Sequence, residues 1–188
     1  MSIPAFHDTA AQGGDVKFFP LSLAQEGFWI LDQFKPDRTL NTLSTTVHIR
    51  RALSTQALTR SLNALVQRHA ALRTTFQVIE GQPQQVIAPS LSLSLPVVDL
   101  QALPEAQREA EAQRLAIEEM QRPFDLSYGP LARASLLQLG AEEHILLLSM
   151  HHIICDEWSI RATRAVSPRL CRSRPCHTRI LRSGSKHG

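Results

Sequence analysis

Cysteine is scarce. Cys155, Cys171 and Cys176 are the only three in 188 residues, an odd and sparse set that does not suggest a disulfide framework and fits a reducing compartment. Apolar runs are short, none approaching the ~20 residues that a membrane-crossing helix needs. The opening stretch MSIPAFHDTAAQGGDVKFF lacks the basic-then-apolar order of a secretory signal, so a cytoplasmic protein is expected. A glycine-rich phosphate loop and a G-x-S-x-G elbow are both missing, which leaves nucleotide binding and serine hydrolysis without support. Acid is missing from one region altogether: Ile160 to Gly188 holds eight Lys+Arg and no Asp or Glu. Residues 1–159 therefore carry twelve of the twenty basic residues and all seventeen acidic ones, a balance of −5 hidden under the net +3 of the whole.

What is present suits a folded chain. With 43% hydrophobic and 20% charged residues, it can bury one ordinary core or form part of a larger one. The first seventeen or so residues, with Gly13-Gly14, show no periodic pattern and read as a lead-in. Ser22 caps a helix over SLAQEGFWILDQF, with Leu23, Phe28, Leu31 and Phe34 available to one face and Trp29 beside them. TLSTTVHIRR suggests a strand, and Ser54 caps the helix STQALTRSLNALVQRHAAL, where Leu58, Leu62, Leu65 and Val66 recur at helical spacing. RTTFQVI and QQVIA, joined by Glu80-Gly81, form a hairpin signal. Pro104 opens a helix running to about Gln121, with Leu115, Ile117 and Met120 as its apolar minority. RPFDLSYGP is a loop. LARASLLQL and HILLLSMHH are strands, the second apolar on both faces and so central and buried. The mixture predicts α+β or mixed α/β architecture.

The stretch MHHIICDEWS, Met150 to Ser159, is the chemical focus. A strand delivers His151 and His152 to opposite sides, so that one can face a cavity while the other packs. An imidazole titrating near neutrality suits proton transfer from an amine or hydroxyl nucleophile. Asp156 is placed to fix the loop or to pair with an arginine elsewhere. Two plainer readings stand beside this one. A histidine near a core is commonly a satisfied polar group, and His with Asp four residues apart could share a metal, although no third ligand is evident. Spacing alone leaves the motif undecided.

MHHIICDEWS resembles the HHxxxDG signature of condensation domains in nonribosomal peptide synthetases, in its MHHxISDGxS form. SLAQEGFW is similar to that family's SxAQxRLW motif, RHAALRTTF to its RHExLRTxF motif, and PFDLSYGPLARASLLQL to its FDLxxGPLxR segment. The four occur in the family's order between Leu21 and Ser159. The resemblance implies an α/β (α+β sandwich) lobe of the chloramphenicol acetyltransferase-like kind, with the active site in a tunnel between this lobe and a second. The implied reaction is amide formation between aminoacyl or peptidyl thioesters. These ride on the phosphopantetheine arms of carrier-protein partners, with no cofactor or metal bound by the chain itself.

By position, His152 is the implied catalytic residue, as a general base or as a group that orients the amine. His151 is the implied orienting or packing residue, and Asp156 a structural one. Ser22, Gln25, Trp29, Arg68, Arg73 and Trp158 are motif positions of architectural kind.

Departures from the pattern are Gly27 for arginine, Ala70 for glutamate, and Glu157 for the glycine of HHxxxDG. The last adds a carboxylate beside the imidazoles, which favours imidazolium and impairs a base. After Ser159 the chain reads RATRAVSPRLCRSRPCHTRILRSGSKHG, unlike the amphipathic helix and second lobe that the family continues with. The expected organisation is a lead-in over 1–17, a truncated first lobe over 18–160, and a disordered or out-of-frame basic tail over 161–188. Alternatives for the tail are electrostatic binding of nucleic acid or an acidic partner, without any aromatic for base stacking, and a zinc site, for which C-x4-C-H is poorly spaced. For the chain, the alternatives are a non-catalytic lobe that docks a carrier protein and another HxxxD acyltransferase.

Overall fold

The structure, a computed structural model, describes residues 14–34, 41–155 and 178–181. Elements follow in the order β1 (Lys17–Pro20), α1 (Leu23–Phe34), β2 (Thr42–Arg50), α2 (Thr55–Arg68), a 3-10 turn (Ala70–Arg73), β3 (Thr74–Ile79), β4 (Gln82–Ile87), β5 (Val97–Asp99), α3 (Glu105–Gln121), β6 (Ala132–Gly140), β7 (Glu143–His151) and β8 (Thr178–Leu181). Two sheets form. One has the order β1-β4-β3 and the other β5-β6-β7-β2-β8. All pairings are antiparallel except β5 with β6.

Local chemistry sets the boundaries. Ser54 starts α2, its hydroxyl accepting from the Ala57 amide at 3.2 Å. Pro104 stands immediately before α3, where a missing N–H is no loss. Glu80 and Gly81 both have positive φ, 52° and 79°, the geometry of a two-residue hairpin turn that twists with its strands. Gly129 also has positive φ, and a Cβ there would lie 2.8 Å from the Thr75 side chain. Glycine is therefore required where the 123–130 loop crosses β3.

The five-stranded sheet is the middle layer. Leu137 and Leu139 of β6 and Ile145 and Leu147 of β7 pack with Ala112 and Ala116 of α3 on one face. Leu136 and Leu146 turn the other way, to join Val47, Ile49 and Leu58 of α2. β7 is thus buried on both faces, as its unbroken apolar run predicts. A third cluster, with Phe76, Phe124, Leu131, Ile153 and Ile154, closes the end of the sheet where β7 finishes, and Phe28 and Trp29 of α1 pack against it.

Several expectations need correction. The buried face of α1 is not Leu23, Phe28, Leu31 and Phe34. It is Phe28, Trp29 and Asp32, while Leu23 is 88% and Phe34 82% exposed. Helical spacing accommodates either stripe, and the neighbouring third cluster selects the one with both aromatics. α3 seats itself through Ala112 and Ala116, with Ile117 exposed, because small residues let the helix approach the sheet closely. A strand not expected from the sequence, β1, begins at the last lead-in residue, Lys17, and its KFFP pairs with β4. Within 161–188, four residues form β8, paired antiparallel with β2 from Ser44↔Leu181 to Val47↔Thr178. TRIL has β-branched content and the edge of β2 offers unpaired backbone groups, which is sufficient for a short strand. The remainder of that stretch lies outside the described residues.

Candidate active site

β7 ends at His151, so the strand alternation expected to separate the two histidines stops between them. Their rings nevertheless diverge, because the chain turns sharply there. The His151 amide donates to Leu131 O at 2.9 Å, on the β6 side, and the His152 amide to Asn41 O at 2.8 Å, on the β2 side. The Ile154 amide then donates back to His151 O at 3.1 Å, and Cys155 Sγ to the same carbonyl at 3.4 Å. Ile153 and Ile154 are buried, so the apolar residues after the pair pin the turn as firmly as the strand before it.

His151 is wholly enclosed, at 0% exposure. Its Nδ1 accepts from the Ile153 amide at 3.1 Å, which places the ring proton on Nε2 in a neutral imidazole. Burial, and secondarily the neighbouring His152, push its pKa down to about 4. Phe124 meets the ring edge-on, centroids 6.3 Å apart at 87°. His152 is half-buried. Its ring stacks on Phe28 of α1 at 4.6 Å and 21°, and its Nδ1 is buried without a hydrogen-bond partner among the described residues. One histidine is therefore locked, and the other is held by stacking with part of its ring open.

The architectural positions fall into two groups. Ser22 and Gln25 form a reciprocal cap on α1: the Ser22 hydroxyl accepts from the Gln25 amide at 3.3 Å, and Gln25 Oε1 accepts from the Ser22 amide at 2.9 Å. Gln25 Nε2 reaches on to Gln85 of β4 at 3.0 Å. This fixes the helix that carries Phe28 to His152, with Trp29 packed beside it. The S-x-x-Q spacing is a capping box and signals this pairing. Arg73 ties the end of α2 to the end of β4, its guanidinium donating to Val66 O at 3.2 Å, Pro89 O at 3.1 Å, Gln67 O at 3.4 Å and Ala88 O. Arg68 is exposed at the last turn of α2. Asp156 and Trp158, with Glu157, lie outside the described residues.

Three residues without an assigned role from sequence, Thr42, Ser44 and Ser149, complete the surroundings. Thr42, Ser44, Ser149 and His151 make a buried polar strip at this end of the sheet, Ser44 and Ser149 joined by their hydroxyls at 2.9 Å. Small polar residues interrupting apolar strands were the available signal. Among the described residues no three His, Cys, Asp or Glu side chains gather as a metal site. No helix among them is long and apolar enough to cross a membrane.

Comparison with known proteins bears on the family and the fold. A family model described as condensation domain matches residues 16–163. One component of the linear gramicidin synthase of Brevibacillus parabrevis is 46% identical over 141 residues, covering 75% of this chain and 2% of that protein. Phosphinothricin tripeptide synthetase PhsC of Streptomyces viridochromogenes is 46% identical over 145 residues, covering 77% of this chain and 13% of that protein. Among solved structures, the starter condensation domain of rhizomide synthetase RzmA superimposes with a TM-score of 0.72 at 26% identity, over 84% of this chain and 38% of that one. The chain thus spans a small part of these synthetases and well under half of the solved domain.

Proposed function

The chain belongs to the condensation-domain family of nonribosomal peptide synthetases, and we propose that it is the first lobe of such a domain, with His152 as its catalytic residue. The fold is the chloramphenicol acetyltransferase-like α/β arrangement of that family. The observation that carries the proposal is the asymmetry of the histidine pair: His151 is enclosed and neutral, whereas His152 is half-open and held against Phe28. With Nδ1 turned inward, Nε2 is the nitrogen left to a substrate.

The chemistry follows from that placement. An amine of a carrier-bound aminoacyl thioester approaches Nε2, which accepts a hydrogen bond from the attacking N–H. The amine nitrogen bonds to the thioester carbonyl carbon of the upstream acyl group, and the C–S bond breaks. The proton released by the amine leaves with the departing thiol of the phosphopantetheine arm. The locked His151 contributes by keeping its neighbour's backbone fixed. Asp156 takes the structural role that its motif position implies, a second lobe supplies the opposite wall of the tunnel, and the carrier proteins deliver the substrate arms into it.

The test is reconstitution. The chain is mixed with a separately produced second lobe and two loaded carrier domains, and the dipeptidyl thioester is followed by mass spectrometry. Product is expected, and His152→Ala should lower its rate by about 10² or more. Product that forms equally well without His152 would sink the assignment. Glu157, in place of the family's glycine, favours a second reading in which the lobe docks a carrier protein without catalysis. Carrier binding seen by NMR titration, unaffected by His152→Ala and with no product from the unaltered chain, selects that reading.

A further inference from the structure

Arg133 is the last residue of the FDLSYGPLAR stretch, and it lies on β6 beside the histidine pair. The register pairs Arg133 with Ser149 and Ala132 with Met150, and the His151 amide bonds to Leu131 O. Arg133 therefore shares a sheet face with Ser149 and His151, because residues two apart on a strand point the same way.

Its guanidinium is held on every side. Nε donates to Glu119 Oε1 at 2.6 Å, with both side chains largely buried. The two terminal nitrogens donate to Pro123 O at 3.1 Å, Arg122 O at 2.7 Å and Glu119 O at 3.4 Å. So fixed, the guanidinium carbon lies 3.7 Å from the centre of the Phe124 ring, and the ring's next neighbour is His151. The side chain is spread between the end of α3 and the ring that abuts the buried imidazole. Holding the end of α3 alone would not require a planar cation on that ring.

We propose that Arg133 is a positioning residue for the histidine pair: it clamps Phe124 against His151 and thereby fixes the turn that presents His152. The proposal rests on His152 as the reactive group, yet its first test needs no catalysis. A lysine at this position keeps the charge and most of the stem. It cannot lie flat on the ring while serving Glu119 and three carbonyls, because the guanidinium's planar fork is what permits both.

The experiment is ¹⁵N and NOE spectroscopy of the full chain with labelled histidine, unaltered and as Arg133→Lys. In the unaltered chain, His151 should appear as the Nε2–H tautomer with cross-peaks to the Phe124 ring. In Arg133→Lys those cross-peaks should weaken, the tautomer should become mixed, and the contacts between His152 and Phe28 should broaden. A folded Arg133→Lys protein with a lowered melting temperature but unchanged histidine signals would show a purely structural arginine and overturn the proposal. Should Arg133→Lys not fold, Glu119→Gln, nearly the same size, is read by the same criteria. In the reconstituted reaction, Arg133→Lys should lower kcat about tenfold to a hundredfold with KM for the carrier domains unchanged. If histidine signals move but neither variant nor unaltered chain makes product, the clamp stands and the catalytic reading falls.

Discussion

Gly27 sits in the middle of α1, and nothing lies within 4 Å of where its Cβ would be. A helical glycine with open space around it is a weakness without a compensating role. Gly27→Ala is expected to stabilise the fold by about 0.5–1 kcal/mol, visible as a higher melting temperature. A drop would mean that the site is not open as described. His151 leads to a pH dependence with a definite sign. Its folded pKa of about 4 lies below the ordinary value near 6.5, so below pH 6.5 the unfolded chain takes up a proton that the folded chain refuses. Stability should fall as pH drops from about 6.5 towards 4 and then level off as far as this group is concerned, by roughly 3 kcal/mol in all. Urea titrations across that range should show the slope, and His151→Gln should flatten it. The site was partly legible at this scale: the HH pair and its neighbours mark the place, but which ring is locked depends on Phe124, Phe28 and the Ile153 amide. Only the fold brings those three together.

At the level of elements, the helix beside the site depends on its first turn. The Ser22–Gln25 cap steadies α1, and through it the Phe28 ring that stacks on His152. Ser22→Ala should destabilise the protein by about 1 kcal/mol and weaken the Phe28–His152 cross-peaks. Loss of stability with those cross-peaks intact would separate the cap from the site. Serine caps, the Glu80-Gly81 turn, Pro104 and the apolar run of β7 were readable because each acts over a few residues. The stripe that α1 buries was not, since two stripes at helical spacing compete and tertiary packing decides between them. The seating of α3 was legible only in part: Leu115 packs on the sheet cluster as its spacing suggests, but Ala112 and Ala116 are the residues that bury fully against it. β1 and β8 were missed for a related reason: each is four residues long and owes its conformation to the partner strand it joins.

For the whole molecule, the relevant quantity is what the fold leaves uncovered. Phe18, Phe19, Leu23, Ile30, Leu31 and Phe34 are all exposed, and all lie on β1 or α1. Apolar exposure concentrated on two consecutive elements promotes association. Sedimentation of the chain alone should reveal concentration-dependent oligomers, and the double substitution Leu23→Glu with Phe34→Glu should shift it towards monomer. A chain that stays monomeric at all concentrations would contradict this.

The two amides of the histidine pair are pegged to both neighbours of β7, one to Leu131 and the other to Asn41. In terms of hydrogen exchange, the histidine turn is expected to open with the central strands, the slowest unit of the protein, whereas loops at functional sites usually belong to the fastest. Deuterium should enter at His151 and His152 as late as at Leu146 and Leu147. The turn then has no partly melted state of its own: it persists for as long as the central strands stay zipped and disappears with them, so its exchange and global unfolding would share one clock.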